Sequence, residues 1–260
     1  MQDFKVIKSR ENSLIKLISL LQTSASARKE KRLFVLEGLR LCSDAAENGI
    51  RFDKLIVSFT AAEKYGGEAE AFAANAGECI KVPDSLFSKI SDTKSPQGII
   101  AVCRLPEKQN AIIKTDGRYI ALENISDPSN LGAVSRTAEA LGADGLILSA
   151  GGCDPYSPKV LRASMGTVLR LPVFIFDDFV SGIRSSGLLS YACVVDSAAE
   201  SITGVRFTGG CVIIIGNEAN GLSEAMKSAA DRLVTIPMTG RAESLNAAAA
   251  AAIAVWEMMK

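Results

Sequence analysis

The stretch ALENISDPSNLGAVSRTAEALGADGLIL, residues 121–148, decides the fold. Its first residues, up to Glu123, continue an apolar strand that starts near Arg118. Asp127-Pro128-Ser129 is turn chemistry: proline presets its own backbone, and Asp and Ser bond nearby amides. Asn130, or Ser129 before it, is the expected cap of a helix over 130–141. Ala133, Val134, Thr137, Ala138 and Leu141 give that helix a side of small and apolar residues. Gly132 leaves room for another backbone at its first turn. Gly142 then leads into an apolar strand at 145–149. Strand, polar turn, helix and strand make one unit of a parallel sheet. Arg136 interrupts a mostly uncharged helix. Alone it is a weak signal, since a neighbouring element could satisfy it.

The same alternation runs outward in both directions. Further strands are expected at 173–175, 189–195, 211–215 and 233–236, with helices at 157–164, 178–185, 223–229 and 244–259. Strands this short and apolar suit a parallel sheet covered on both faces. Toward the N-terminus, strands at 33–36, 54–59, 78–82 and 98–103 alternate with helices at 37–48, 61–75 and 85–90, and a helix at 10–23 precedes them. This predicts two α/β domains: residues 1–105, a connector at 106–117, and residues 118–260.

In open α/β sheets, ligands bind in loops beyond the carboxyl ends of the strands. Two more segments fall there. In CVIIIGNEANGLSEAM, residues 211–226, an apolar strand ends in glycines flanking Asn217 and Glu218, and Ser223 can cap the next helix. In IPMTGRAESLNAAAAAAIAVWEMMK, residues 236–260, a strand ends at Ile236-Pro237-Met238 and Ser244 is the expected cap of an alanine-rich helix. Consecutive alanines permit very close packing. A plain buried helix explains them as well, but it explains Ser244 and Asn246 at the head less well.

Composition excludes much. The chain has 260 residues and no histidine. A Ser-His-Asp triad, a Cys-His pair and an HExxH zinc site are therefore impossible, and any general base must be another group. No Gly-Lys pair occurs, so there is no P-loop, and no GxGxxG follows a strand. The six cysteines form no CxxC and read as buried free thiols of a cytoplasmic protein. No metal is expected, no secretory leader is visible, and no apolar stretch is long enough to span a membrane. The charge balance of 29 against 29 hides a split. Residues 1–106 carry 16 basic and 13 acidic side chains, and the remainder carries the reverse excess. Within residues 1–40 the count is 9 against 4, with a cluster at Arg28, Lys29, Lys31 and Arg32. A solvated helix face accounts for such a run as well as a phosphate-contacting surface does.

Taken in order, Asn130-Leu131-Gly132-Ala133 with Arg136-Thr137-Ala138, Gly216-Asn217-Glu218 with Gly221-Leu222, and Ile236-Pro237-Met238 with Ser244-Leu245-Asn246 resemble the SpoU family of RNA ribose 2′-O-methyltransferases, in the SPOUT superfamily. The resemblance spans about residues 118–260. A looser one covers residues 1–105, where LFVLEGLRL and SPQGIIAV look like the substrate-binding domain of such enzymes. The resemblance implies an α/β fold with a parallel sheet and a deep trefoil knot, and an N-terminal domain like ribosomal protein L30e. It implies S-adenosylmethionine as cofactor, a homodimer with sites at its interface, and structured RNA, foremost 23S rRNA, as substrate.

Carried over by motif, Arg136, Glu218, Ser244 and Asn246 would form the catalytic group. Gly216, Ile236, Met238 and Leu245 would hold the cofactor. Asn130 would shape the site near Arg136 and belong with the RNA contacts, alongside Lys159, Arg162, Arg28, Lys29, Lys31 and Arg32. The family gives Arg136 the role of base. A guanidinium keeps its proton at neutral pH, so binding the target phosphate and stabilising an alkoxide is the second role. One departure is Ala247-Ala248, where many members have Val-Ser. A tRNA ribose methyltransferase and a non-catalytic RNA-binding protein on the same fold are the competing readings.

Overall fold

The computed structural model describes residues 4–106 and 112–260. Part of the expected connector at 106–117 lies outside them. The chain divides into two compact units. The first is the N-terminal segment together with Tyr156–Arg162, and the second is the rest.

The first unit begins with β1 (Phe4–Val6), α1 (Ser13–Thr23), α2 (Ala25–Lys31), β2 (Leu33–Glu37) and α3 (Leu39–Glu47). It continues with β3 (Phe52–Ser58), α4 (Phe59–Lys64), α5 (Gly66–Ala74), β4 (Ala76–Val82), α6 (Asp84–Ile90) and β5 (Ile99–Arg104). Its sheet runs β1-β4-β3-β5-β2. β1, β4 and β3 pair in parallel, and β5 is antiparallel to both β3 and β2. Ile18 and Leu21 of α1 pack with Val35, Ile56, Ile80 and Ile100 of the strands in one apolar core.

β1 lies outside the expected elements, and one expected helix is divided. The single helix expected at 61–75 is two helices that meet at Tyr65, where Gly66-Gly67 opens the second. Glycine is a poor helix former and favours such a break. The basic run at 28–32 lies in and just after α2, whose first turn is capped by the Ser24 hydroxyl accepting the Ala27 amide, in keeping with a helix face.

The chain continues with β6 (Arg118–Leu122), α7 (Pro128–Ala140), β7 (Gly145–Ser149), α8 (Pro158–Ser164, assigned to the first unit up to Arg162), α9 (Thr167–Arg170), β8 (Val173–Phe176), α10 (Phe179–Ser185) and β9 (Leu189–Cys193). Then come β10 (Glu200–Ser201), β11 (Cys211–Ile215), α11 (Glu224–Ala229), β12 (Arg232–Thr235) and α12 (Ala247–Met259). The sheet order is β10-β12-β9-β11-β6-β7-β8, and every pairing is parallel. All five residues of β7 and of β11 are buried, as expected of a sheet covered on both faces. The expected mixed α/β architecture with a parallel sheet is the observed one.

Of the three expected caps, Ser223 caps α11, accepting the Met226 amide at 3.1 Å, and the other two moved. α7 starts earlier, at Pro128, and Asp127 rather than Asn130 or Ser129 accepts the first free amide, from Ser129 at 2.8 Å. Proline at the first helical position lacks an N–H that would in any case go unbonded there, so the helix extends back to it. α12 starts later, and Asn246 rather than Ser244 caps it, accepting the amides of Ala248 and Ala249 at 2.9 and 3.3 Å. Gly132 does meet a neighbour, because a Cβ there would lie 2.4 Å from Ala163 Cβ. α12 packs against α7, β11 and β6.

Candidate active site

The site is built from loops at the carboxyl ends of β6, β11 and β12. Between the last two, β9 also ends. With neighbouring strands about 4.8 Å apart and β9 between them, the ends of β11 and β12 stand roughly 10 Å apart across the sheet.

Glu218 is the hub. One carboxylate oxygen accepts the Asn130 side-chain amide at 2.8 Å and the Asp127 backbone amide at 3.1 Å. The other accepts the Ser126 amide at 3.1 Å, the Ser126 hydroxyl at 3.0 Å and the Asn217 side chain at 3.3 Å. Asn130 accepts in turn from the Asn246 side chain at 3.1 Å. Asn246 caps α12, so one polar chain ties the turn before α7, the loop after β11 and the head of α12.

Partial burial raises the Glu218 pKa, but the donors outweigh it, Asn130 first and then the backbone amides, and hold it at about 2 against an ordinary 4.5. A carboxylate so well supplied with donors is a poor proton acceptor. Its contribution to stability has a definite sign. A depressed carboxyl stabilises fully above its unfolded pKa and loses that contribution as pH falls toward its folded one. The melting-temperature gap between wild type and Glu218→Gln should therefore be constant above pH ~5 and close between pH ~4.5 and ~2. A gap unchanged across that window would remove Glu218 as the hub.

The other expected site residues fall into three groups. Gly216 is buried, and a Cβ there would meet the Gly221 carbonyl carbon at 2.1 Å, so the loop closes only around a glycine. Ile236 is half-buried, while Met238 and Leu245 are exposed apolar side chains, 36% and 37% accessible, in a run from 237 to 246 that is exposed throughout. Ser244 lies in the same open run. Arg136 is exposed on α7. It lies six residues beyond Asn130, about 9 Å along the helix and some 240° round it, so it is turned away from the Glu218 network.

The RNA set is scattered. Lys29, Lys31, Arg32 and Lys159 are exposed. Lys31 pairs with Glu30 at 2.7 Å, and Arg32 donates to the Pro106 carbonyl at 3.2 Å. Arg162 pairs with Asp92 at 2.6 Å, both in the first unit. Two members are not surface groups. Arg28 is 4% exposed and donates to the Leu21 carbonyl at 2.5 Å, because α2 turns it inward. Asn130 is 6% exposed with both ends of its amide engaged, so it links the site's loops and is closed to RNA.

The sequence reading missed Ser126, which donates twice to Glu218, and Asn124 and Ser149, which brace the loop from below. Among the described residues no cluster of three or more His, Cys, Asp or Glu side chains is placed to hold a metal, and no helix is long and apolar enough to cross a membrane.

Comparison with known proteins is decisive at this point. Residues 117–256 match the SpoU rRNA Methylase family. The chain belongs to that family. It is an RNA methyltransferase that takes its methyl group from S-adenosylmethionine. Residues 12–101 match the MRM3-like substrate binding domain. The chain is 30% identical to the 23S rRNA (guanosine(2553)-2′-O)-methyltransferase RlmP of Bacillus subtilis, over 98% of this chain and 99% of that protein. Among solved structures, the AdoMet-bound rRNA methyltransferase from Sinorhizobium meliloti superposes with a TM-score of 0.82 at 30% identity, covering 98% of this chain and 97% of that one. The SpoU methyltransferase AviRb from Streptomyces viridochromogenes, in complex with AdoMet, gives 0.84 at 27% identity, covering 96% and 97%.

Proposed function

We propose that this SpoU methylase transfers a methyl group to a ribose 2′-oxygen of 23S rRNA in the cytoplasm. The observation that carries the reading is the joining of all three motif loops by Glu218, Asn130 and Asn246 at the carboxyl ends of a parallel sheet. Similarity to RlmP over nearly the whole of both chains supports the choice of rRNA. So does the division of labour, with the basic excess in the unit that matches a substrate-binding domain. That unit adopts the L30e-like role of holding RNA, with Lys29, Lys31, Arg32 and Lys159 as exposed phosphate contacts. We also propose that the chain between β11 and α12 is threaded as the family's deep trefoil knot.

The residues present fit S-adenosylmethionine. Gly216 lets backbone close the loop after β11, and Ile236, Met238 and Leu245 offer partly or fully open apolar surface on the chain after β12. When bound, the cofactor supplies an electrophilic methyl carbon on a sulfonium. Methyl transfer to an alcohol is then largely a matter of aligning the 2′-oxygen, which the protein achieves by holding the ribose still. The Glu218 network fixes the loop positions. Asn246 sets the head of α12, and Ser244 offers a hydroxyl beside it. As the 2′-oxygen loses its proton it develops negative charge, and the guanidinium of Arg136 stabilises that charge. The proton leaves to solvent, since Glu218 is held too acidic to keep it.

The reading includes a homodimer. Arg136 is turned away from its own chain's network, so a second copy can bring it to a site. α12, which packs on α7, exposes Ile253 at 39% and Trp256 at 57% on its outer face. Large apolar side chains in one exposed stripe suit a protein interface. Trp256→Glu should convert the dimer to a monomer in sedimentation and lose methyl transfer with it. A dimeric, active variant would rule out that face.

The test of the activity is transfer of labelled methyl from S-adenosylmethionine to purified RNA fractions. Label in 23S rRNA supports the reading, and label confined to tRNA favours a tRNA enzyme. Cofactor binding with no label in any RNA favours a non-catalytic RNA-binding protein.

A further inference from the structure

Just before the turn into α7, Asn124 adopts a left-handed backbone, with φ of 54°. Asparagine tolerates that region better than most residues, yet it still costs free energy, and such outliers cluster where a site needs a fixed geometry. Here the geometry is closed on every side. The Asn124 amide donates to Ser149 Oγ at 2.7 Å, and the Ser149 hydroxyl donates back to Asn124 Oδ1 at 2.9 Å. The Asn124 carbonyl accepts the Asn217 side-chain amide at 2.7 Å. That same Asn217 amide reaches Glu218, and the Asn217 carbonyl oxygen of the side chain accepts the Ala219 and Asn220 amides at 2.9 and 3.3 Å. The ends of β6, β7 and β11 are thus pinned together through one residue.

We propose that Asn124 is a positioning residue of the methyl-transfer site: its left-handed carbonyl, locked by Ser149, sets where Asn217 and Glu218 stand. This rests on the methyltransferase reading above. The physical argument is directional. A carbonyl aims at Asn217 only while the backbone stays left-handed, and the Ser149 hydroxyl holds it there from both the amide and the side-chain oxygen. Ser149 is itself buried, so the brace is anchored on the core side, while Asn124 stands exposed at the rim of the site. The hydrogen bonds of Asn124 run to Ser149 and Asn217, so its effect is on loop position and alignment.

Three substitutions separate this role from general stability. Asn124→Gly keeps the left-handed backbone accessible and removes the side chain that locks it. Asn124→Asp keeps the oxygen that accepts from Ser149. Ser149→Ala removes the hydroxyl from the other side. For each, the melting temperature, the S-adenosylmethionine Kd, the RNA KM and kcat are measured on the full chain. Expected for Asn124→Gly is a kcat reduced ~100-fold, as for a small misplacement of reacting groups. Cofactor Kd should stay within about threefold and melting within a few degrees. Ser149→Ala should lower kcat similarly, the double variant should be no worse than either single one, and Asn124→Asp should return kcat to within about fivefold of wild type.

Wild-type kcat in Asn124→Gly would overturn the proposal. So would parallel losses of melting temperature, cofactor binding and kcat, since those describe a purely structural residue. Absence of methyl transfer by the wild-type protein on any RNA would instead sink the underlying reading and is seen before any variant is made.

Discussion

Arg136→Ala is expected to cripple methyl transfer, lowering kcat ~10²–10³-fold while leaving the S-adenosylmethionine Kd within about threefold. The size follows from the mechanism. With no histidine in the chain and Glu218 held at about 2, the site contains no good base near neutral pH. Stabilisation of the forming alkoxide must come from a fixed cation, and removing one such group from a preorganised site typically costs two to three orders of magnitude. The cofactor should be indifferent, because the residues assigned to it come from the loops after β11 and β12 and Arg136 from α7. Arg136→Lys keeps the charge but not the planar fork, and should recover only part of the loss. Rapid-quench turnover and equilibrium cofactor titration check the two halves separately. Near-normal kcat in Arg136→Ala would end its catalytic assignment.

Glu218→Ala should be the most damaging change outside Arg136. It leaves the Asn130 and Asn217 side-chain amides, both Ser126 donors and the Asp127 amide without their acceptor. Hydrogen bonds to a charged group are each worth more than neutral ones, but the carboxylate is open to water and part of that is recovered from solvent. A net loss of about 2–3 kcal/mol is expected, or roughly 5–10 °C in melting temperature for a chain of this size. Because Asn130 also holds Asn246, the loss spreads to the head of α12, and kcat should fall ~100-fold through misalignment. Scanning calorimetry and steady-state kinetics on the same preparation test this. Glu218→Ala with wild-type melting and wild-type kcat would mean the polar chain is an incidental surface feature.

The parallel sheet was readable because short apolar runs such as CVIII and GLILS have one stable setting, between two covering layers. Gly132 was readable because a glycine in a helix's first turn invites a close neighbour, and Ala163 is there. Cap positions were less so. Ser244, Asn246, Asp127 and Asn130 are all good caps, and only packing selects among them. Arg28 was hidden from the sequence because charge in a linear run says nothing about which side of a helix of about two turns faces the core. Asn124 and Ser149 were missed for a different reason. Their importance lies in a contact between two strand ends 25 positions apart, and neither residue type stands out locally. Glu218 was seen, but its role changed once five donors were found on it.

The most direct test of the central claim is a mapped methylation reaction. Purified protein, labelled S-adenosylmethionine and unmodified 23S rRNA are incubated, the RNA is digested, and the labelled nucleoside is identified. The account predicts label at a single nucleotide, on the ribose 2′-oxygen, at close to one methyl per 23S molecule. Label on a base, or none in 23S rRNA from a protein that binds the cofactor, would contradict it.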